Sequence, residues 1–222
     1  MSDFPLLIAG LGNPGAEYAS SRHNTGFMAV DVIHDSYGFG PWRAKFQGLI
    51  AEGRLGKRKA YLLKPQTFMN DSGASVGPAA RFLKLPLEAV VVIHDDIDLA
   101  AGKLKAKVGG GDAGHNGLRS ITKTLGPGYR RVRIGVGHPA SKAGVVGHVL
   151  HSFSKADGDW LAPMLSAVAE AAPLFAATDI NDFTNKVALI LNPPERRPEP
   201  PEKPKKPEKE KKPEKEKKKD LA

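Results

Sequence analysis

The sequence predicts one three-layer α/β domain, a mixed twisted sheet with helices on both faces. Three observations carry that expectation. Short apolar runs of strand type alternate along the chain with segments of helical spacing. Val90–Ile93 is a continuous β-branched run, the pattern of a strand buried on both sides. Lys103, Lys105 and Lys107 alternate with Leu104, Ala106 and Val108, the period-two pattern of a strand with one buried and one exposed face.

The elements follow in order. Leu6–Gly10 is a short apolar strand. Phe27, Ala29, Val30 and Ile33 have helical spacing, which predicts a helix over Gly26–His34. Ala60–Leu63 is a strand. Ser72–Leu83 is a helix, with Asn70, Asp71 or Ser72 as its N-cap. Val90–Ile93, Leu104–Val108 and Val132–Val136 are strands, with a helix near 118–125 between the last two. Trp160–Ala177, broken or bent by Pro173, and Asp182–Ile190 are the closing helices. No internal repeat is visible. The body, 1–192, is expected to fold as a single domain. The tail, 193–222, is Pro, Lys and Glu with almost nothing apolar, so it is expected to be disordered.

Composition narrows the function classes. The chain has 222 residues, 41% of them hydrophobic, enough for one sizeable core. It has no Cys, which excludes disulfides and thiolate metal sites. No apolar run approaches a membrane span, and the N-terminus has no basic leader, so a cytoplasmic protein is expected. The formal net charge is +9. The tail holds 12 Lys/Arg and 8 Asp/Glu, leaving +5 on the body. That permits a polyanionic partner without demanding one.

Several motifs are decoys. Gly10-Leu-Gly-Asn-Pro-Gly15 matches a dinucleotide fingerprint, but Asn13-Pro14-Gly15 is a turn signal where that fold needs a helix. The turn is expected to present the Asn13 amide at a strand's end. Gly73-Ala-Ser75-Val-Gly77 matches a nucleophile elbow, but a helix-cap sequence precedes it, so Ser75 belongs inside a helix. His94-Asp95-Asp96-Ile-Asp98 and His148-x-x-His151 offer oxygen and nitrogen ligands but no tight metal pattern.

What remains is a constellation. Asn13, His23, Asn70, Asp95 and Asn116 all fall at expected strand ends or turns, positions that an α/β fold gathers on one rim. A His beside a carboxylate is a general-base pair. Asn amides both donate and accept, which suits a carbonyl, a peptide bond or a ribose. The simplest chemistry is water attacking a reactive carbonyl. The Lys stripe runs into Gly109–Gly111, Gly114 and Gly117, a glycine loop that reads as a hinge.

Gly10–Gly15, Arg22–Gly26, Thr67–Asn70, His94–Asp95 with Asp98-Leu99, Gly109–Gly117 and Arg133–Pro139 together resemble the ordered motif set of bacterial peptidyl-tRNA hydrolases, from about residue 6 to 190. The resemblance implies hydrolysis of the ester between a peptide and the 3′-terminal ribose of tRNA, by a monomer with no cofactor and no metal. It implies His23 as the base that activates water and Asp95 as the group that keeps His23 basic. Asn13 would distinguish N-blocked from free aminoacyl substrates. Tyr18, Phe68, Asn70 and Asn116 would bind the tRNA or peptide end, and Met69 and His115 would line the same cleft. Lys105, Lys107 and Arg133 would grip the acceptor stem. One position departs from the pattern: Asp112 stands where relatives commonly carry His, and either weakens the tRNA path or faces solvent. Two other classes stay open on sequence alone, a non-catalytic RNA-binding protein of the same fold and a serine hydrolase using Ser75.

Overall fold

Leu6–Gly10 (β1) is buried along its whole length. An apolar residue at every position, rather than every second one, is what a strand in the middle of a covered sheet requires. In the computed structural model, which describes residues 4–139, 144–177 and 179–194, β1 is the centre of seven strands. Their order is β2-β3-β4-β1-β5-β7-β6, with β2 Arg43–Lys45, β3 Gly48–Leu55, β4 Arg58–Pro65, β5 Val90–Asp96, β6 Leu104–Val108 and β7 Arg130–Gly135. The middle four, β4, β1, β5 and β7, are parallel. The strands outside them pair antiparallel. The sheet is mixed, as expected, and β6 is one of its edges.

Helices cover both faces. Leu6, Ile8, Val91 and Ile93 pack on one side with α1 (Thr25–Tyr37), α5 (Gly158–Ala171) and α6 (Ile180–Leu191). Leu7, Ala9, Val90 and Val92 pack on the other with α2 (Gly73–Phe82) and α3 (Asn116–Leu125). A short helix, α4 (Val145–Leu150), lies between β7 and α5. Two glycines let α1 approach β1: a Cβ on Gly10 would strike the Gly26 carbonyl, and one on Gly26 would strike Leu11 and Ile93 backbone atoms. The Gly10-Leu-Gly fingerprint therefore serves backbone contact. A single 3-10 turn, Ala16–Tyr18, follows it where a dinucleotide fold would start its helix. Ser75 is fully buried inside α2, so the nucleophile-elbow reading fails.

Differences from the sequence reading have physical causes. The hairpin β2–β3 gave no turn signal because Phe46 and Gln47 take positive φ, 55° and 48°, without the usual Asn or Gly. β7 starts at Arg130 rather than at Val132, because both arginines find backbone partners inside: Arg130 donates to Phe175 O and Arg131 to Gly111 O. α5 ends at Ala171 and continues as a 3-10 turn through Pro173. Leu104 and Ala106 pack on the core, but Val108 at the end of β6 is exposed, so the alternation holds only for the first part of the strand. The charged tail from residue 195 onward lies outside the described residues.

Candidate active site

The carboxyl ends of the parallel strands define one rim. β1 ends at Gly10 and leads to Asn13; β5 ends with His94, Asp95 and Asp96; β4 ends at Pro65 and leads to Phe68–Asn70. Strand ends carry unpaired backbone and short turns, so side chains from distant segments meet there.

Asp95 is 2% exposed and is shared by two imidazoles. Its Oδ1 and Oδ2 both lie 2.9 Å from His23 Nδ1, and Oδ1 lies 3.1 Å from His115 Nε2. His115 caps α3: its Nδ1 accepts from the Leu118 N–H at 3.4 Å. That fixes the proton of a neutral His115 on Nε2, facing Asp95. Burial pushes the Asp95 carboxyl up. The charges and hydrogen bonds of His23 and His115 outweigh it and hold the group well below the usual carboxylate range. An ionised Asp95 accepts a proton bond from His23 Nδ1 and leaves the Nε2 lone pair of His23 free. His23 itself sits on the 3-10 turn Arg22–Asn24 that precedes α1.

Asn24, the next residue, holds Asn13. Its Oδ1 accepts from the Asn13 N–H at 2.8 Å, and its Nδ2 donates to Asn13 O at 2.9 Å. The Asn13 side-chain Oδ1 accepts from the Met69 N–H at 2.8 Å. With that oxygen committed, the group Asn13 presents to the cavity is its NH2. Asn24 belongs to the Arg-His-Asn motif, but only its position beside His23 hinted at this.

The cavity holds about 490 Å³. Asn13, Tyr18, His23, Phe68, Met69, Asn70, Asp95, His115 and Asn116 all line it. Val145, Val146, Val149 and Leu150 of α4 form an apolar wall that the sequence reading missed. Six residues of mixed polarity gave α4 no periodic signal. Its far end is tied beside His23: Arg22 donates to His151 O and Ser152 O and pairs with Asp157 at 3.0 Å.

Lys105, Lys107 and Arg133 do not line the cavity. They stand on the sheet edge, where β6 and β7 pair Lys105 with Arg133 and Lys107 with Arg131. The four share a face, opposite Leu104, Ala106, Val132 and Ile134. Arg133 is held by Asp96 at 2.6 Å and Arg131 by Asp112 at 3.3 Å. Lys105 and Lys107 make no ion pair among the described residues, so they carry the uncompensated charge. Asp112 does not simply face solvent: Thr122 Oγ1 donates to its Oδ1 at 2.7 Å.

His94 is buried behind the His23–Asp95 pair. Its Nδ1 donates to Asp95 O at 2.6 Å and its Nε2 has no hydrogen-bond partner among the described residues. Burial, then the charge of His115, lowers its pKa to about 3, so it stays neutral. Among the described residues, His23, Asp95 and His115 are the one group whose ligand atoms converge closely enough for a metal, within 4.8 Å of one another. Their mutual hydrogen bonds account for that convergence. His148 instead reaches Val136 O.

A family model described as peptidyl-tRNA hydrolase matches residues 7–196. The peptidyl-tRNA hydrolase of Ruegeria pomeroyi is 60% identical over 188 residues, which are 85% of this chain and 79% of that one. That of Acidiphilium cryptum is 57% identical, covering 83% of this chain and 96% of the other. The crystal structure of peptidyl-tRNA hydrolase from Acinetobacter baumannii superposes with a TM-score of 0.79 at 38% identity, covering 84% of this chain and 95% of that one. With the family model covering 7–196 and relatives about 60% identical over most of the chain, the chain belongs to the peptidyl-tRNA hydrolase family.

Proposed function

We propose that this chain hydrolyses the ester joining a peptide to the 3′-terminal ribose of tRNA, with His23 as general base. The observation that carries the reading is the His23–Asp95 pair, 2.9 Å apart in the wall of a cavity that three Asn residues also line. His23 Nε2 takes a proton from water as the water oxygen attacks the ester carbonyl. The imidazolium formed is stabilised by the ionised Asp95, then returns the proton to the departing ribose oxygen. Water is the nucleophile, and the step balances with no covalent intermediate on a protein side chain.

Asn13 explains a preference for N-blocked substrates. A peptide or formyl carbonyl accepts a hydrogen bond from its NH2. A free α-ammonium carries only donors, and facing Asn13 it leaves two donors opposed in a confined site. Asn70 and Asn116 are assigned to the substrate's carbonyls and ribose hydroxyls. The apolar wall of α4 with Phe68 and Met69 suits the peptide side chains. Lys105 and Lys107 supply the phosphate contacts, while Arg133, spent on Asp96, contributes less. No helix among the described residues is long and apolar enough to cross a membrane.

The test is release of peptide from a defined N-blocked aminoacyl-tRNA. His23→Ala should lower kcat by about 10²- to 10⁴-fold, the usual worth of a general base, with tRNA binding retained. Undiminished turnover in that variant would remove His23 from the mechanism.

A further inference from the structure

We propose that Asp112 is a positioning residue that fixes the glycine loop and the N-terminus of α3, and so holds Asn116 and His115 against the substrate. The proposal rests on the reading of the cavity as the substrate site. It reads the loop as anchored rather than as a hinge.

The loop that leads from β6 to α3 is expensive to order. Gly109, Gly110, Ala113 and Gly114 all have positive φ, and glycine loses more backbone entropy on ordering than any other residue. Something must fix it, and the fixing group is an arginine of the sheet. Arg131 is fully buried, lies 4.6 Å above the Tyr129 ring, and donates through Nη1 to Gly111 O at 2.7 Å. Its Nη2 reaches Asp112 Oδ1 at 3.3 Å and Thr122 Oγ1 at 3.4 Å. Thr122, on α3, closes the triangle by donating to the same Asp112 oxygen. One carboxylate therefore ties the sheet, the loop and the helix together.

The backbone of Asp112 continues the link toward the chemistry. Its carbonyl accepts the His115 N–H at 2.8 Å, which sets the turn from which His115 caps α3 and reaches Asp95. Asn116 is the first residue of that helix. Arg131 also explains why the anchor is anionic. Among the described residues its Nε has no hydrogen-bond partner, so without Asp112 the buried guanidinium would keep only a carbonyl, a hydroxyl and a ring there. A buried cation with no counter-charge is strongly unfavourable. A loop carboxylate that satisfies it is thereby held in place.

The experiment combines hydrogen–deuterium exchange with steady-state kinetics on the full chain carrying Asp112→Ala, Asp112→Asn or Thr122→Val. Asp112→Ala should speed exchange of 109–117 about tenfold and raise KM for N-blocked aminoacyl-tRNA by a similar factor, the worth of one charge-assisted hydrogen bond. kcat should change less, because β5 and the 3-10 turn hold Asp95 and His23 independently. Asp112→Asn keeps the Thr122 bond but not the charge and should fall between; Thr122→Val should move in the same direction. Unchanged loop exchange in Asp112→Ala would overturn the proposal. So would an unchanged KM in the soluble variants, or exchange that rises equally across the sheet, which would mark a fold anchor only. If Asp112→Ala fails to fold, Asp112→Asn and Thr122→Val decide. Loop exchange is read without turnover, so it stays informative even if the His23 assignment fails.

Discussion

His94 makes the fold sensitive to mild acid. In the folded protein its pKa is lowered to about 3, by burial first and the His115 charge second, with Asp95 and Asp96 opposing. In the unfolded chain it titrates at the ordinary 6.5. A base depressed in the folded state binds protons only after unfolding, so its effect is absent above 6.5 and stability falls as pH drops below it. Between pH 7 and 5 the unfolded chain gains about 2 kcal/mol from this one group, at up to about 1.4 kcal/mol per pH unit. The figure depends only on the folded value lying well below 5. Asp95, held low rather than high, keeps its contribution through this window and loses it only as pH falls below the ordinary carboxylate range. For a chain of this length, a loss of that size lowers Tm by about 4–8 °C. Thermal melts at pH 7, 6 and 5 measure it. His94→Asn removes the titration while offering an amide donor to Asp95 O. The cavity it leaves lowers Tm at every pH, so the informative quantity is the slope. An unchanged slope in His94→Asn, or none in the parent protein, refutes the reasoning.

Two other outcomes follow from the geometry. Asn24→Ala deletes both bonds to the Asn13 backbone and should cost about 2–3 kcal/mol, near 1 kcal/mol or more for each buried hydrogen bond; it should also narrow the ratio of N-blocked to unblocked hydrolysis, measured side by side on the two substrates, and an unaltered ratio would detach Asn13 from discrimination. Replacing Lys105 and Lys107 by Gln should reduce the log–log salt slope of tRNA binding by about 1.4–1.8, since each ammonium releases roughly 0.7–0.9 counterions; Arg133→Gln should change it less, because Asp96 already neutralises that charge, and the reverse order would place the phosphate path elsewhere.

The central strands were legible because a strand covered on both faces leaves an unbroken apolar run, as in Leu6–Gly10 and Val90–Ile93. The hairpin at Phe46-Gln47 was not, because its turn is imposed by strand pairing against the preference of its residues. At the site, the residue types and their strand-end positions were readable. Partners across long sequence separations were not: nothing local in Asn24 announces that it clasps Asn13, and nothing in Arg131 announces that it meets Asp112 across the loop. Asp112 read as either a weakened RNA contact or an exposed residue. Its neighbours in space, Arg131 and Thr122, come from two later segments, and they turn a surface departure into an internal anchor.

β6 ends the sheet, and an open sheet margin offers unpaired N–H and C=O groups to any strand that drifts near. Ammonium groups along that margin repel a second copy bearing the same charges and keep strands from adding side by side. Lys105 and Lys107 thus guard colloidal behaviour whether or not RNA is present. The same two charges proposed to meet tRNA phosphates should also keep the molecules apart from one another, and a variant stripped of both should be poorer at each. Binding data on such a variant have to be collected on protein shown by light scattering to be free of aggregates.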